Sequence, residues 1–311
     1  MHPKPPPKDR PKHQHWVPQF YLRYFATPET RNSDKPQVWI FSKDDSDGDE
    51  KLTSVRNVCG RRYLYSPMQP DGERSWALED RLGNVETLLG QVWPALANDF
   101  VDLSREPIRK ALALFVAIMH LRHPDVRLKA ETIHQRLIDF YLSGSQLPDG
   151  TPNIGSIEVN GKNHPMDMSD WHAYKNWDND DHDRFFAHMV RSEAGSLAEH
   201  LLTKRWSVVS SESDVFVTTD KPVAVNHLTR DTFGYGTAGS IITFPLSPTR
   251  LLVLDDLHHE PQNQYHPLKD LHAGVVNFTV WHGASRFLIT GRSVETVLSE
   301  LCAVAGAGTI A

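Results

Sequence analysis

The apolar residues of this chain change their spacing twice, and this restricts its fold more than any other feature. Between residues 74 and 146 they recur at helical period: SWALEDRLGNVETLLGQVWPALANDF carries Leu78, Leu82, Val85 and Leu89 along one face, with Ser75 as its expected cap and Pro94 as an expected kink or break. REPIRKALALFVAIMHLRHP predicts a second, strongly apolar helix stopped by Pro124, DVRLKAETIHQRLIDFYL a third, and the stretch from about 180 to 204 another. On both sides the spacing falls to two: QVWIFSK and KLTSVRNVCGRRYLYS come before the helices, and RWSVVSS, DVFVTTDKPVAVN and SIITFPLSPTRLLVLDD after them. A helix near 268–283, a strand SRFLITG and a last helix at 293–303 close the pattern. Helices bracketed by strands predict an α+β fold, with a mixed or antiparallel sheet built from N- and C-terminal strands and a central helical layer. The expected organisation is an arm at 1–12, one domain at 13–304 whose helical middle runs from about 74 to 204, and a tail at 305–311. A separate helical lobe is the alternative.

The arm carries Pro3, Pro5, Pro6, Pro7 and Pro11 among Lys and Arg and is expected to be extended and mobile. The acidic DDSDGDE at 44–50 reads as a hairpin-type loop, and Asn160-Gly161 as the turn of a hairpin inside an irregular insertion at 144–170. The 33 basic and 39 acidic residues leave a net charge of −6, which argues against whole-surface attraction to nucleic acid and confines a polyanion partner to a local basic cleft. Cys59 and Cys302 share no metal-binding spacing and are expected to be reduced, buried thiols. The first residues lack the apolar core of a secretory signal, and ALALFVAIM at 111–119 falls well below the ~20 residues that span a bilayer. A cytoplasmic protein with no membrane partner is expected; the oligomeric state is not set by these features.

One stretch stands apart. HQHWVPQFYLRYF at 13–25 places two histidines, a proline and five aromatics just after the arm. Together with RNVCGRRYLY, LEDRLGNVE, VTTDKPV, FPLSP and VVNFTVWHGASRFLIT, it resembles the mainly bacterial domain of unknown function family 4238. The most specific element is His15, Trp16, Val17, Pro18, Tyr21, Leu22 and Phe25, with Trp16 where the family usually has Tyr. The resemblance runs from His15 to about Thr290 and implies no established activity.

The ionisable residues of these motifs are the candidates for chemistry. His15, stiffened by Pro18, suits a general base or a metal ligand, or a buried ring bonded to backbone. His13 forms a His-x-His pair with it at the mouth of the arm. Glu79 and Glu86 return to nearly one face of their helix and can hold a divalent cation, or salt-bridge as a flank to Arg122. Asp220, before Lys221-Pro222, is a candidate base or ligand at a strand end, or the acceptor of an Asx-type turn. Arg286 can clamp an anion or pair with Asp220, and Asn277 flanks the same region. Ser247 lies between two prolines without the Gly-x-Ser-x-Gly elbow of a nucleophile. Arg56, Arg61 and Arg62 beside Tyr63 and Tyr65 give the basic and aromatic mixture that suits nucleotides.

Two functions are compatible with this set. In the first, a metal-assisted hydrolase of the phosphodiesterase or nuclease class, His15, Asp220, Glu86, Arg122 and Arg286 are catalytic. A divalent ion is held by His15, Glu79, Glu86 and Asp220, and Arg56, Arg61, Arg62, Asn277 and Ser247 bind a nucleotide or nucleic acid. In the second, a non-catalytic sensor or interaction protein of a defence or stress module, His15 and Asp220 lock the terminal segments together and Arg122 pairs with Glu86. Convergence of His15, Glu86, Asp220 and Arg286 in one open pocket separates the two.

Overall fold

Each change of spacing in the sequence becomes a change of element. The computed structural model describes residues 10–43, 50–269 and 272–307, so most of the arm, the acidic loop at 44–49 and the end of the tail lie outside the described residues. In chain order, β1 (His13–His15) leads into α1 (Gln19–Leu22), continued by a 3-10 turn over Arg23–Phe25. Then come β2 (Gln37–Ser42), β3 (Glu50–Ser54), β4 (Gly60–Arg62), α2 (Ala77–Asn98), α3 (Glu106–Leu121) and α4 (Pro124–Leu142). The insertion holds β5 (Ser156–Val159), β6 (Lys162–Pro165) and α5 (Trp171–Lys175), before α6 (Asn179–Leu202). The last part comprises β7 (Arg205–Ser210), β8 (Thr218–Thr219), β9 (Ala224–His227), β10 (Ser240–Ser247), β11 (Arg250–Asp255), β12 (Gln264–Pro267), α7 (His272–His282), β13 (Phe287–Thr290) and α8 (Val294–Ala307). Helix α8 therefore runs past residue 305, where the tail was expected to begin.

The fold is α+β, and the N- and C-terminal strands do share a sheet. In the antiparallel order β3-β2-β13-β8, Ile40 stands opposite Ile289 and Leu288 opposite Thr219. The remaining C-terminal strands build a second, mixed sheet, β12-β7-β11-β10-β9, with β12 parallel to β7. Strand β1 pairs with β4, and β5 with β6 across Asn160 and Gly161, whose φ values of 53° and 74° are those of the expected tight hairpin turn. Among the described residues no helix is long and apolar enough to cross a membrane.

Local expectations fail where tertiary context overrides a residue's habit. Ser75 caps nothing; α2 starts at Ala77 without a side-chain cap, and the Ser75 backbone N–H bonds to the Pro67 carbonyl at 3.0 Å. Pro94 does not break α2, which continues to Asn98. The carbonyl that a proline crowds lies four residues earlier, and here that residue is Gly90, whose backbone yields most easily; Gly90 is left without its i+4 donor. FPLSP is strand up to Ser247, as its period-two spacing indicates, despite Pro245. Strand β9 covers β10 only from Ser240 to Thr243, so the nitrogen of Pro245 meets no partner strand there, and a register shift between Pro245 and Ser247 absorbs the irregularity. Of the two thiols only Cys59 is buried; Cys302 is exposed on α8.

The core lies between α1, α2 and α3 and one face of the mixed sheet. Val17, Tyr21, Leu22 and Phe25 of the opening motif are fully buried in it. Tyr21 stacks on Phe244 at 5.4 Å between ring centroids and meets Trp93 edge-on at 5.8 Å, and Trp93 meets Phe115 edge-on at 5.1 Å. Each polar tip finds a carbonyl. The Tyr21 hydroxyl donates to Pro245 at 2.8 Å and lies 2.7 Å from the Thr218 hydroxyl, while the Trp93 indole donates to Leu246 at 3.1 Å. Tyr21 thus ties β8 of one sheet to β10 of the other. Gly291 follows β13 so closely against this motif that a Cβ there would stand 2.4 Å from the Ala26 carbonyl oxygen.

Candidate ligand-binding cleft and the motif network

The motif polar residues meet in a buried network at the end of α3. Arg122 caps that helix and is 2% exposed. Its Nη1 donates to Glu86 at 2.7 Å, its Nη2 to the His15 carbonyl, and its Nε to the Tyr65 hydroxyl at 3.3 Å, while Tyr65 donates to the Arg122 carbonyl at 2.7 Å. Burial alone would lower the Arg122 pKa, but Tyr65 and Glu86 hold it above its ordinary value. Glu79, two helical turns before Glu86, is desolvated enough that its carboxyl is pushed up to about 7, with Arg122 opposing and Glu86 adding to the rise.

His15 is bonded on both ring nitrogens. Nε2 donates to the Arg56 carbonyl at 2.9 Å, which leaves Nδ1 to accept from the Gln19 amide at 3.4 Å. Desolvation lowers its pKa against the opposing Arg56 bond, so the ring is neutral at pH 7. His13 lies on Gly60, where a Cβ would come within 2.2 Å of its Nε2, and edge-on to His15 at 4.9 Å.

Asp220 is 1% exposed. Its Oδ1 accepts from the Ser285 backbone N–H at 3.0 Å and its Oδ2 from that of Arg286 at 2.9 Å; its carbonyl accepts from the Trp16 indole at 3.0 Å. Burial raises its pKa, against these backbone bonds. The Arg286 guanidinium, expected as a clamp or ion-pair partner, lies instead over the Phe287 ring at 5.0 Å. Asn277 is fully buried, with its amide bonded to Val217 at 3.1 Å and Val215 at 2.9 Å. Ser247 donates to the Ala97 carbonyl at 2.8 Å. Arg61 and Arg62 are exposed on β4, opposite Gln14 and His13.

These positions do not converge on an ion. His15 has committed both nitrogens, Glu86 faces Arg122, and both Asp220 oxygens hold backbone N–H groups. Among the described residues no cluster of three or more His, Cys, Asp or Glu side chains is placed to hold a metal. The donor set expected from the sequence therefore does not fit a divalent cation.

An open cleft of about 750 Å³ lies on the other side of the opening motif, in the size range of small-ligand sites. Its walls come from Gln19, Phe20, Arg23 and Tyr24, from Asp34, Lys35 and Pro36 before β2, from Ser54 to Asn57 after β3, and from Gly90 of α2. Arg23, Lys35 and Arg56 are exposed, and none of them makes an ion pair among the described residues. A second hollow of about 350 Å³ shares Arg23 and Tyr24 with the first and reaches Ser247 and Thr249; there the cation Arg31 is already paired with Asp214 at 2.5 Å.

The family model described as protein of unknown function, DUF4238, matches residues 13–293. The chain belongs to this family. No curated protein and no solved structure matches it. The motif by which DUF4238 is recognised here serves two faces of one helical turn. Tyr21, Leu22 and Phe25 turn inward, while Gln19, Phe20, Arg23 and Tyr24 line the cleft. Sequence reading missed the second face. Its signal is the i, i+4 pairing of Gln19 with Arg23 and Phe20 with Tyr24, which continues the helical spacing past Pro18.

Proposed function

We propose that this DUF4238 protein is a binding protein for an anionic ligand of the nucleotide class, taken into the cleft beside α1, and that the motif polar residues hold the frame around it. The observation that carries the reading is the meeting of three cations without ion-pair partners among the described residues, Arg23, Lys35 and Arg56, with the aromatic residues Phe20 and Tyr24 around one cleft of about 750 Å³. Cations pair with phosphates, and aromatic faces stack on bases. The amides of Gln19 and Asn57 and the Gly90 carbonyl left without its i+4 donor by Pro94 supply groups that can read a base edge. Arg56 plays two parts, since its carbonyl holds His15 and the residue also lines the cleft. This is the sensor reading, with no turnover required.

Hydrolysis of the bound ligand is a second reading, favoured by one observation: His15, neutral at pH 7, stands directly behind Gln19 and Arg56. Calorimetric titration with nucleoside mono-, di- and triphosphates and a short single strand tests the proposal, with product analysis in the same samples for turnover. A dissociation constant below ~1 mM for at least one of them is expected, weakened about tenfold or more in Arg23→Ala/Arg56→Ala. Absence of binding to every one, or equal binding by the variant, overturns it.

A further inference from the structure

A second polar site lies where α3 turns into α4, and no motif reading accounts for it. His123 forms the N-cap of α4, and its Nδ1 accepts the Asp125 backbone N–H at 3.1 Å. The neutral ring must then carry its proton on Nε2. That N–H finds no hydrogen-bond partner among the described residues: the carboxylate oxygen Asp220 Oδ2 is 4.0 Å away and already accepts from Arg286. His123 is 3% exposed, so the cost of an unanswered donor is large.

Two more buried atoms nearby share this condition. Among the described residues the Tyr235 hydroxyl, on a residue 9% exposed, has no partner, and neither has Nδ1 of His120, whose ring meets Tyr235 edge-on at 4.7 Å. Lys221, half-buried beside Asp220, bears on both histidines, as does exposed Lys129; neither ammonium makes an ion pair among the described residues. Asp125, 3.6 Å from His123 Nδ1, and Asp220, 4.0 Å from Nε2, are the opposing charges. The corner is also the positive end of a 19-residue helix.

We propose that this corner is a binding site for a small oxyanion, phosphate or carboxylate, which accepts from His123 Nε2–H and the Tyr235 hydroxyl and is neutralised by Lys221. The composition matches that chemistry: two unpartnered buried groups, two ammonium groups that act on the histidines and a helix start occur at one corner. Burial keeps both imidazoles neutral, with His120 lowered to about 4, so they act as hydrogen-bond partners while Lys221 carries the charge. Desolvation lowers the Lys221 pKa too, with Lys129 adding to the effect, and an anion at the corner relieves both.

The site is separate from the cleft and can fail separately. Nitrogen-15 NMR of the imidazole side chains in the full chain is followed while inorganic phosphate, and in a second arm acetate, is added against a chloride control of equal ionic strength. A saturable shift of His123 Nε2 is expected with at least one of the two. Lys221→Met and Tyr235→Phe should each weaken it about tenfold, about 1.4 kcal/mol in binding, while Arg23→Ala/Arg56→Ala leaves it unchanged. Bound anion should also raise the melting temperature of the unmodified protein and not that of Lys221→Met. No saturable shift with either anion, which would mean the donors are only hydrated, overturns the proposal. So does a shift of equal midpoint in Lys221→Met or, if that variant does not fold, in Lys129→Met/Tyr235→Phe.

Discussion

Asp220 shows how one side chain can look catalytic in the sequence and act as a clasp in the structure. A carboxylate at a strand end before Lys-Pro has the profile of a base, and nothing in the one-dimensional pattern reveals that Ser285 and Arg286 will bring two backbone N–H groups to it. The expected result for Asp220→Ala is a loss of about 2–4 kcal/mol in urea unfolding, because two buried donors are left unanswered. Glu79 offers a pH signature. Its carboxyl binds a proton in the folded state up to about 7, against an ordinary 4.5, so its contribution to stability is complete below pH 4.5 and is lost as pH rises towards 7. Glu79→Gln removes that loss. At pH 8 the variant should be more stable by on the order of 1 kcal/mol after allowing for solvent screening, and at pH 4 the two should coincide, as urea midpoints at the two pH values will show. The Arg122–Glu86 pair was among the alternatives legible in the sequence; the part of Tyr65 in holding it was not, because 57 residues separate Tyr65 from Arg122.

Elements were the most legible level. The helical spacing of Leu78, Leu82 and Leu89 names residues that are buried in α2, and Asn160-Gly161 makes the hairpin its chemistry demands. What escaped was the effect of neighbours on proline. Pro94 and Pro245 both sit inside regular elements, one above a glycine and the other at an edge left bare by a short β9, and such permissive surroundings are set by partners distant in sequence or by a residue four places back. Pro94→Ala returns the donor that Gly90 lacks. Since Pro94 is exposed, circular dichroism melts should show α2 and the protein stabilised by about 1–3 kcal/mol. If the Gly90 carbonyl reads the ligand, the same variant should bind it more weakly despite being more stable.

At the scale of the whole molecule, the sharing of a sheet by both ends was legible from the symmetric placement of period-two segments, but the division into two sheets was not. That division depends on how strands 205–267 pair with one another, which alternation alone leaves undetermined. Tyr21 is the joint between the sheets. Tyr21→Phe removes its bonds to Thr218 and Pro245 and should cost about 1–2 kcal/mol. Hydrogen exchange should then show β8 and β10 losing protection by equal amounts, as parts of one cooperative unit; protection lost in only one sheet would show that the joint does not couple them.

The pairing of β2 with β13 also imposes an order in time. During synthesis, the strand at 37–42 can pair with β3 at once, but its other edge waits until residues 287–290 have left the ribosome, and Tyr21 waits for Thr218 and Pro245. The aromatic wedge of residues 17–25 can therefore meet Trp93 and Phe115 early, and its enclosure is completed only when Phe244 arrives.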